Sequence, residues 1–285
     1  LLVKYLGIGI VSFSLTCTNI NAQDRDFGGL NRYAQENEDI SISHKTVKVV
    51  FMGNSITEGW VNTHPAFFTD NGYVGRGISG QTSYQFLLRF REDVIKLSPS
   101  LVVINAGTND VAENTCAYNE EYTFGNIISM VELAEAHKIK VILTSILPAA
   151  AFGWNPAIKD AQKKIASLNA RIKKYAYQHK IPYVDYYGKM VYGENGALNP
   201  KYTKDGVHPT AEGYIVMETL IKELNQYLSD LSVFYRKLQN YHWNVKGSDF
   251  FVVHEKLEEY YNKINDQIDE VAEHILTLNA QPLGT

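Results

Sequence analysis

The chain has 285 residues, 45% of them apolar and 20% charged, enough for one large domain or two modest ones with a sizeable core. Its net charge of −4 gives no general electrostatic reason to expect nucleic acid or an anionic membrane as a partner. That charge is unevenly placed: from Leu228 onward 5 Lys/Arg stand against 9 Asp/Glu, so the tail carries the whole imbalance and marks a break in composition.

The opening LLVKYLGIGIVSFSLTCTNINA, residues 1–22, reads as a secretory signal: Lys4, an apolar run from Tyr5 to about Leu15, then small polar residues to Ala22. The alternative is an uncleaved anchor, but the run falls well short of the ~20 apolar residues that span a bilayer. Cleavage after Ala22 predicts an exported protein, periplasmic or extracellular, with no membrane contact afterwards. It also removes Cys17 and leaves Cys116 alone, so no intrachain disulfide framework is expected. Residues 23–45 are polar and are expected to form an irregular lead-in.

From residue 46 to 227, apolar runs alternate with helical patterns. Residues 47–52, 102–106, 141–147 and 182–185 read as strands, mostly apolar on both faces, with a shorter one at 75–78. Between them, 83–96, 120–137 and 157–179 have helical spacing. Strands apolar throughout and separated by helices predict a doubly wound α/β domain, its parallel sheet covered on both faces. Ligands of such sheets bind at the carboxyl ends of the strands. The first strand stops there on Gly53-Asn54-Ser55, and the second on Gly107-Thr108-Asn109-Asp110.

A small hydroxyl after a glycine fills no core, so Ser55 is a candidate nucleophile. Ester hydrolysis by serine needs a base, a group that orients it, and donors for the oxyanion. The stretch DGVHPTAEGY offers His208, with Asp205 three residues earlier on a glycine-containing turn. Donors are available in the N–H of Ser55, the glycine of GISGQTS and the side-chain amide of Asn109.

At these residues the chain resembles the SGNH hydrolases, also called the GDSL esterases, whose four blocks stand in order: Gly53-Asn54-Ser55, Gly80, Gly107-Thr108-Asn109-Asp110 and Asp205-Gly206-Val207-His208. The resemblance implies a flavodoxin-like sheet. It makes Ser55 the nucleophile, His208 the base and Asp205 its orienter, with Ser55, Gly80 and Asn109 forming the oxyanion hole. Asn54 stands where the family name has Asp, which removes a charge beside the nucleophile but no triad member. The resemblance and the signal together imply an acetyl esterase acting on carbohydrates, without a cofactor; lipase-like or aryl-ester specificity stays open. Trp60, Phe152 and Trp154 flank the blocks, where aromatics either stack on a sugar ring, enclose an acyl chain or pack against neighbouring loops.

The tail, 228–285, has two amphipathic helical stretches at about 212–245 and 251–277, joined near Gly247. HWNVKG followed by FFVVHEK resembles the opening two helices of the starvation-induced DNA-binding miniferritins, which are ferritin-like four-helix proteins. That resemblance implies an iron site shared across a two-fold interface, with His242 and His254 from one subunit and Asp269 and Glu273 from the other. Two helices cannot bury both apolar faces alone, so a homodimer through this hairpin is expected. No Gly or Pro lies between Gly213 and Gly247, which predicts one continuous helix over 212–245.

Overall fold

The structure, a computed structural model, describes residues 26–247 and 249–277. The expected signal, 1–22, lies outside the described residues. Five runs rich in β-branched and aliphatic residues form the central sheet: β1 (Val49–Gly53), β2 (Tyr73–Gly77), β3 (Leu101–Ile104), β4 (Lys140–Thr144) and β5 (Tyr183–Val184). They pair in parallel in the order β2-β1-β3-β4-β5. A separate antiparallel ribbon joins β6 (Val191–Tyr192) to β7 (Ala197–Leu198).

Eleven α-helices appear among the described residues, with a 3-10 turn at Ile95–Leu97. The first six are α1 (Ala34–Ile42), α2 (Ser55–Thr63), α3 (Pro65–Thr69), α4 (Ser83–Asp93), α5 (Thr108–Val111) and α6 (Glu120–Ala136). The rest are α7 (Ala161–Gln178), α8 (Tyr186–Met190), α9 (Ala211–Lys222), α10 (Leu224–Asn244) and α11 (Phe250–Thr277).

Side chains alternate across each strand. Val50, Met52, Val102, Ile104, Val141 and Leu143 pack against α4, α6 and α7 on one face. Val49, Phe51, Leu101, Val103 and Ile142 pack against α2, α3, α8 and α9 on the other. The three layers are those of a doubly wound parallel fold, as the apolar runs predict. On the second face Trp60 lies in an aromatic cluster with Phe51, Phe67, Phe68 and Tyr214, ring centroids 5.1–5.9 Å apart. Its indole N–H donates to Glu218 Oε1 at 3.1 Å.

Two expectations are corrected. The lead-in is not irregular throughout, because it contains α1, with Tyr33 and Ile40 buried. Its polar residues hid the helix because they serve a buried charge: Arg76 on the edge strand β2 donates to Asn37 Oδ1 and Glu36 Oε1, each at 3.0 Å. The long helix over 212–245 is also interrupted, at Glu223, where ψ is 0°. α9 buries Tyr214, Met217 and Ile221 against the sheet, whereas α10 buries Leu231 and Leu238. Ile221 and Leu231 lie about 80° apart around a regular helix at 3.6 residues per turn, so the break lets each half face its own partner.

The hairpin of α10 and α11 turns at Gly247, where φ is +117°. It does not simply project. The far end of α11 returns to the sheet, placing Val271 and Ile275 in the second apolar cluster beside Leu231 and Ile221. Glu273 pairs with Lys140, Asp266 with Lys180 at 2.7 Å, and buried His274 sets Nε2 3.2 Å from the Val141 carbonyl.

Because Trp60 fills the core under the first strand, Trp60→Ala is expected to destabilise the fold by about 3–5 kcal/mol. Urea denaturation checks this, and a midpoint unchanged from wild type would contradict the packing described.

Candidate active site

The strand order reverses direction at β1, whose neighbours are β2 on one side and β3 on the other. In folds of this kind ligands bind in the crevice at that point, outside the carboxyl ends of the strands. Two glycines allow a helix to start at once behind β1. A Cβ on Gly53 would lie 2.0 Å from Thr57 Oγ1, and one on Gly77 would lie 2.2 Å from the Glu58 main-chain nitrogen. Asn54 caps α2, its Oδ1 accepting from the Ile56 N–H at 2.9 Å. The residue that departs from the family name therefore performs the capping that an aspartate would. Ser55 follows as the first residue of α2, where first-turn amides have no partner within the helix.

Ser55 Oγ lies 2.8 Å from His208 Nε2, and His208 Nδ1 lies 2.6 Å from Asp205 Oδ2. Ser55 and His208, 153 positions apart in the chain, meet with Asp205 where the 203–209 turn is tied into one unit. Asp205 Oδ1 accepts from the N–H groups of Val207 (2.9 Å) and His208 (2.8 Å). Thr203 Oγ1 donates to the His208 carbonyl at 2.8 Å and accepts from the Gly206 N–H, and Gly206 itself sits at φ +83°. One carboxylate thus holds both the loop and the ring. Burial by itself would raise the Asp205 carboxyl; the His208 N–H and imidazole and the Val207 N–H outweigh it and hold it at about 2. A carboxyl held below its unfolded value near 3.9 contributes stability that is in place above that pH and lost as pH falls through about 2.

Gly80 occupies the third position of a turn closed by the Gln81 N–H on the Ile78 carbonyl at 3.3 Å, with φ at +79°. That conformation asks for glycine. The N–H groups of Ser55 and Gly80 donate to no acceptor among the described residues. Asn109, on α5 and nearly fully buried, donates one Nδ2 hydrogen to the Gln81 carbonyl at 2.9 Å. An amide nitrogen carries two. Asp110 turns the other way and accepts from the Ser83 N–H at the start of α4.

Of the three aromatics weighed for substrate contact, only Trp154 is at the site, 47% exposed with its ring 6.2 Å from that of His208. Trp60 and Phe152 are each 1% exposed. Trp60 belongs to the core, and Phe152 lies beneath Trp154 at 5.1 Å. Sequence reasoning did not find Asn114, Glu58 or Arg89, which brace the site through hydrogen bonds to residues distant in the chain and so leave no periodic or motif signal.

In the tail the rings of His242 and His254 stack at 3.6 Å. Each sets Nδ1 against the other's main-chain carbonyl, at 2.9 and 3.0 Å, which leaves Nε2 as the ring nitrogen available to a ligand. Glu258 joins them, with one ligand atom from each residue within 4.8 Å of the others. Its position four residues after His254, on the same helical face, was a readable signal. The donor set fits iron, two imidazoles and a carboxylate. Asp269 and Glu273 are not part of it within one chain, lying about 22 and 28 Å further along α11.

Residues 51–216 match the GDSL-like Lipase/Acylhydrolase family, and residues 221–285 match the Ferritin-like domain. The chain belongs to the GDSL-like lipase/acylhydrolase family and carries a ferritin-like segment behind it. It is similar to a GDSL-like lipase from Bacteroides thetaiotaomicron VPI-5482, with 71% identity, a TM-score of 0.67, and coverage of 69% of this chain and 97% of that one. A protein from Bacteroides fragilis NCTC 9343 is 72% identical at the same TM-score, over 69% of this chain and 95% of its own. The tail is 50% identical over 68 residues to general stress protein 20U of Bacillus subtilis strain 168, spanning 24% of this chain and 47% of that protein. It is 47% identical over 66 residues to DNA protection during starvation protein 2 of Bacillus anthracis, covering 23% and 45%. The chain therefore spans about half the length of the curated relatives it matches.

With the Asp205 carboxyl held at about 2, kcat/KM on a neutral aryl acetate is expected to show no ionisation of that carboxyl between about pH 3 and 5. In log form the acid limb keeps a slope of one through the ordinary carboxylate range. A slope of two between about pH 3 and 5 would show a second group that must ionise there.

Proposed function

We propose that the chain is an exported serine esterase that hydrolyses acetyl esters on carbohydrates. The observation that carries the esterase reading is the relay of 2.8 and 2.6 Å from Ser55 through His208 to Asp205. Ser55 Oγ attacks the ester carbonyl carbon while its proton passes to His208 Nε2. Asp205 stabilises the imidazolium through Nδ1–H. The carbonyl electrons move onto oxygen, which the N–H groups of Ser55 and Gly80 and the free hydrogen of Asn109 Nδ2 receive. As the tetrahedral centre collapses, the C–O bond breaks and His208 returns the proton to the leaving alcohol. Water then attacks the acyl-enzyme with His208 as base, releasing the acid and restoring Ser55. Each fixed donor aimed at the oxyanion contributes about 3–4 kcal/mol. The carbohydrate reading is supported by Trp154, an exposed ring beside the relay on which a sugar face stacks. Export is supported by the apolar run after Lys4.

Ser55→Ala is expected to abolish hydrolysis of a short-chain aryl acetate and release of acetate from acetylated glycans, with an unchanged circular dichroism spectrum. Activity within tenfold of wild type would remove Ser55 from the attack.

For the tail we infer a dimerisation module with an iron site. Iron bound there would supply Lewis-acid and redox chemistry. His242, His254 and Glu258 would hold it, with Asp269 and Glu273 of a second chain completing the set. Trp243 (65% exposed) and Phe251 (83% exposed) give the hairpin apolar surface for a second copy of this chain. Light scattering on the full chain is expected to show a dimer at tens of micromolar. A strict monomer would refute the module and the shared site together.

A further inference from the structure

The oxyanion turn is gripped from both sides of Gly80, and neither grip belongs to the family blocks. On the near side the Ser79 N–H donates to Glu58 Oε2 at 3.0 Å, and the Ser79 hydroxyl donates to the same oxygen. Glu58 stands on α2 one turn after Ser55, so the nucleophile's own helix holds this side. On the far side Asn114 Nδ2 donates to the Gly80 carbonyl at 3.0 Å. The main-chain N–H of Asn114 donates to the Asn109 carbonyl, also at 3.0 Å. Asn114 therefore touches two members of the oxyanion hole at once. Its amide is in turn oriented by Trp154, whose indole N–H donates to Asn114 Oδ1 at 2.8 Å.

This chain of donors matters because of the turn it ends on. A glycine at φ +79° has no side chain to lock it, and space is no constraint either: a Cβ there would meet nothing closer than Asn114 Nδ2 at 4.0 Å. Rotation of the peptide between Ser79 and Gly80 would swing the Gly80 N–H away from the oxyanion. Hydrogen bonds on the flanking groups oppose that rotation. Fixed donors lower a barrier because they are already aimed when charge develops.

We propose that Asn114 is a positioning residue that keeps the Gly80 N–H aimed at the oxyanion, and that Trp154, through its indole N–H, sets the orientation of Asn114. The proposal rests on the reading of Ser55 as nucleophile and Gly80 as oxyanion donor. It gives Trp154 two functions in one residue: its exposed ring meets the substrate while its edge braces the hole. An occupant stacked on that ring holds the indole, and so the Asn114 amide and the Gly80 turn, in the aligned arrangement.

The test uses the full chain and an aryl acetate too small to depend on stacking. Asn114→Ala is expected to lower kcat by about tenfold or more, below the 10²–10³-fold typical of deleting an oxyanion donor itself, with KM held within about twofold. Asn114→Asp keeps an acceptor for Trp154 but offers no donor to the Gly80 carbonyl, so it too should be slow. Trp154→Phe removes the indole N–H and keeps a ring. It should lower kcat in the wild-type background and add nothing to Asn114→Ala, since the two act through one path. Thermal melts confirm that each variant is folded. A wild-type kcat for Asn114→Asp overturns the proposal, as does a raised KM with intact kcat for Asn114→Ala, or additive losses in the double variant. Ser55→Ala separates the two levels: if that variant stays active the esterase reading itself fails, whereas an inactive Ser55→Ala beside a fully active Asn114→Ala removes only the positioning role.

Discussion

Arg89, fully buried on α4, donates to the main-chain carbonyls of Gly53 at 2.9 Å and Arg76 at 3.0 Å, and to Gln81 Oε1 at 2.6 Å. Asp93, one turn along the same helix, neutralises it at 2.8 Å. A buried guanidinium is tolerated only when its donors are satisfied, and breaking such a pair costs about 3–5 kcal/mol. These acceptors must therefore converge whenever the chain is folded. They lie at the end of β1 just before Ser55, at the end of β2, and in the turn that contains Gly80. The crevice is built around that constraint: β1 delivers Ser55, and the turn after β2 is pinned against it. Asn109, from the end of β3, closes the third side by donating to the carbonyl of the same Gln81.

Much of this was legible in the sequence, because strands buried on both faces leave unbroken apolar runs and because Ser55 and Asn109 stand just past the ends of two of them. Ser55, Asp205 and His208 are recognisable by residue type, order and position. What was not legible depends on direction in space. Trp60, Phe152 and Trp154 are similar aromatics near the same blocks, yet two are core and one is exposed. Nothing in their local sequence says on which side of its loop each ring falls. α1 was hidden because Asn37, which serves a buried arginine, stands between Tyr33 and Ile40 where helical periodicity looks for an apolar residue. Glu223 breaks a helix without Gly or Pro, since two different partners claim the two halves. Asn114 shows no motif at all.

The tail changes the meaning of the front domain's surface. Val271, Ile275 and His274 cover part of the sheet beside α9, so the ferritin-like segment is packed on the hydrolase and does not hang from it. The same packing engages Glu273 with Lys140. A shared iron site of the kind the tail resembles needs that carboxylate at a second chain's His242 and His254. An iron site that used Glu273 would draw that side chain away from Lys140. The esterase crevice, at the carboxyl ends of the strands, contains none of these residues.

The central claim is that Ser55 is the group activated by His208 and Asp205. A fluorophosphonate reports it directly, because an activated serine displaces fluoride and keeps the phosphonyl group. Mass spectrometry of the trypsin-digested protein is expected to find that adduct on the peptide of residues 49–76, in which Ser55 is the single serine. It should disappear when His208 is replaced by alanine. No adduct on the wild-type protein, or one carried by another serine, would contradict the account.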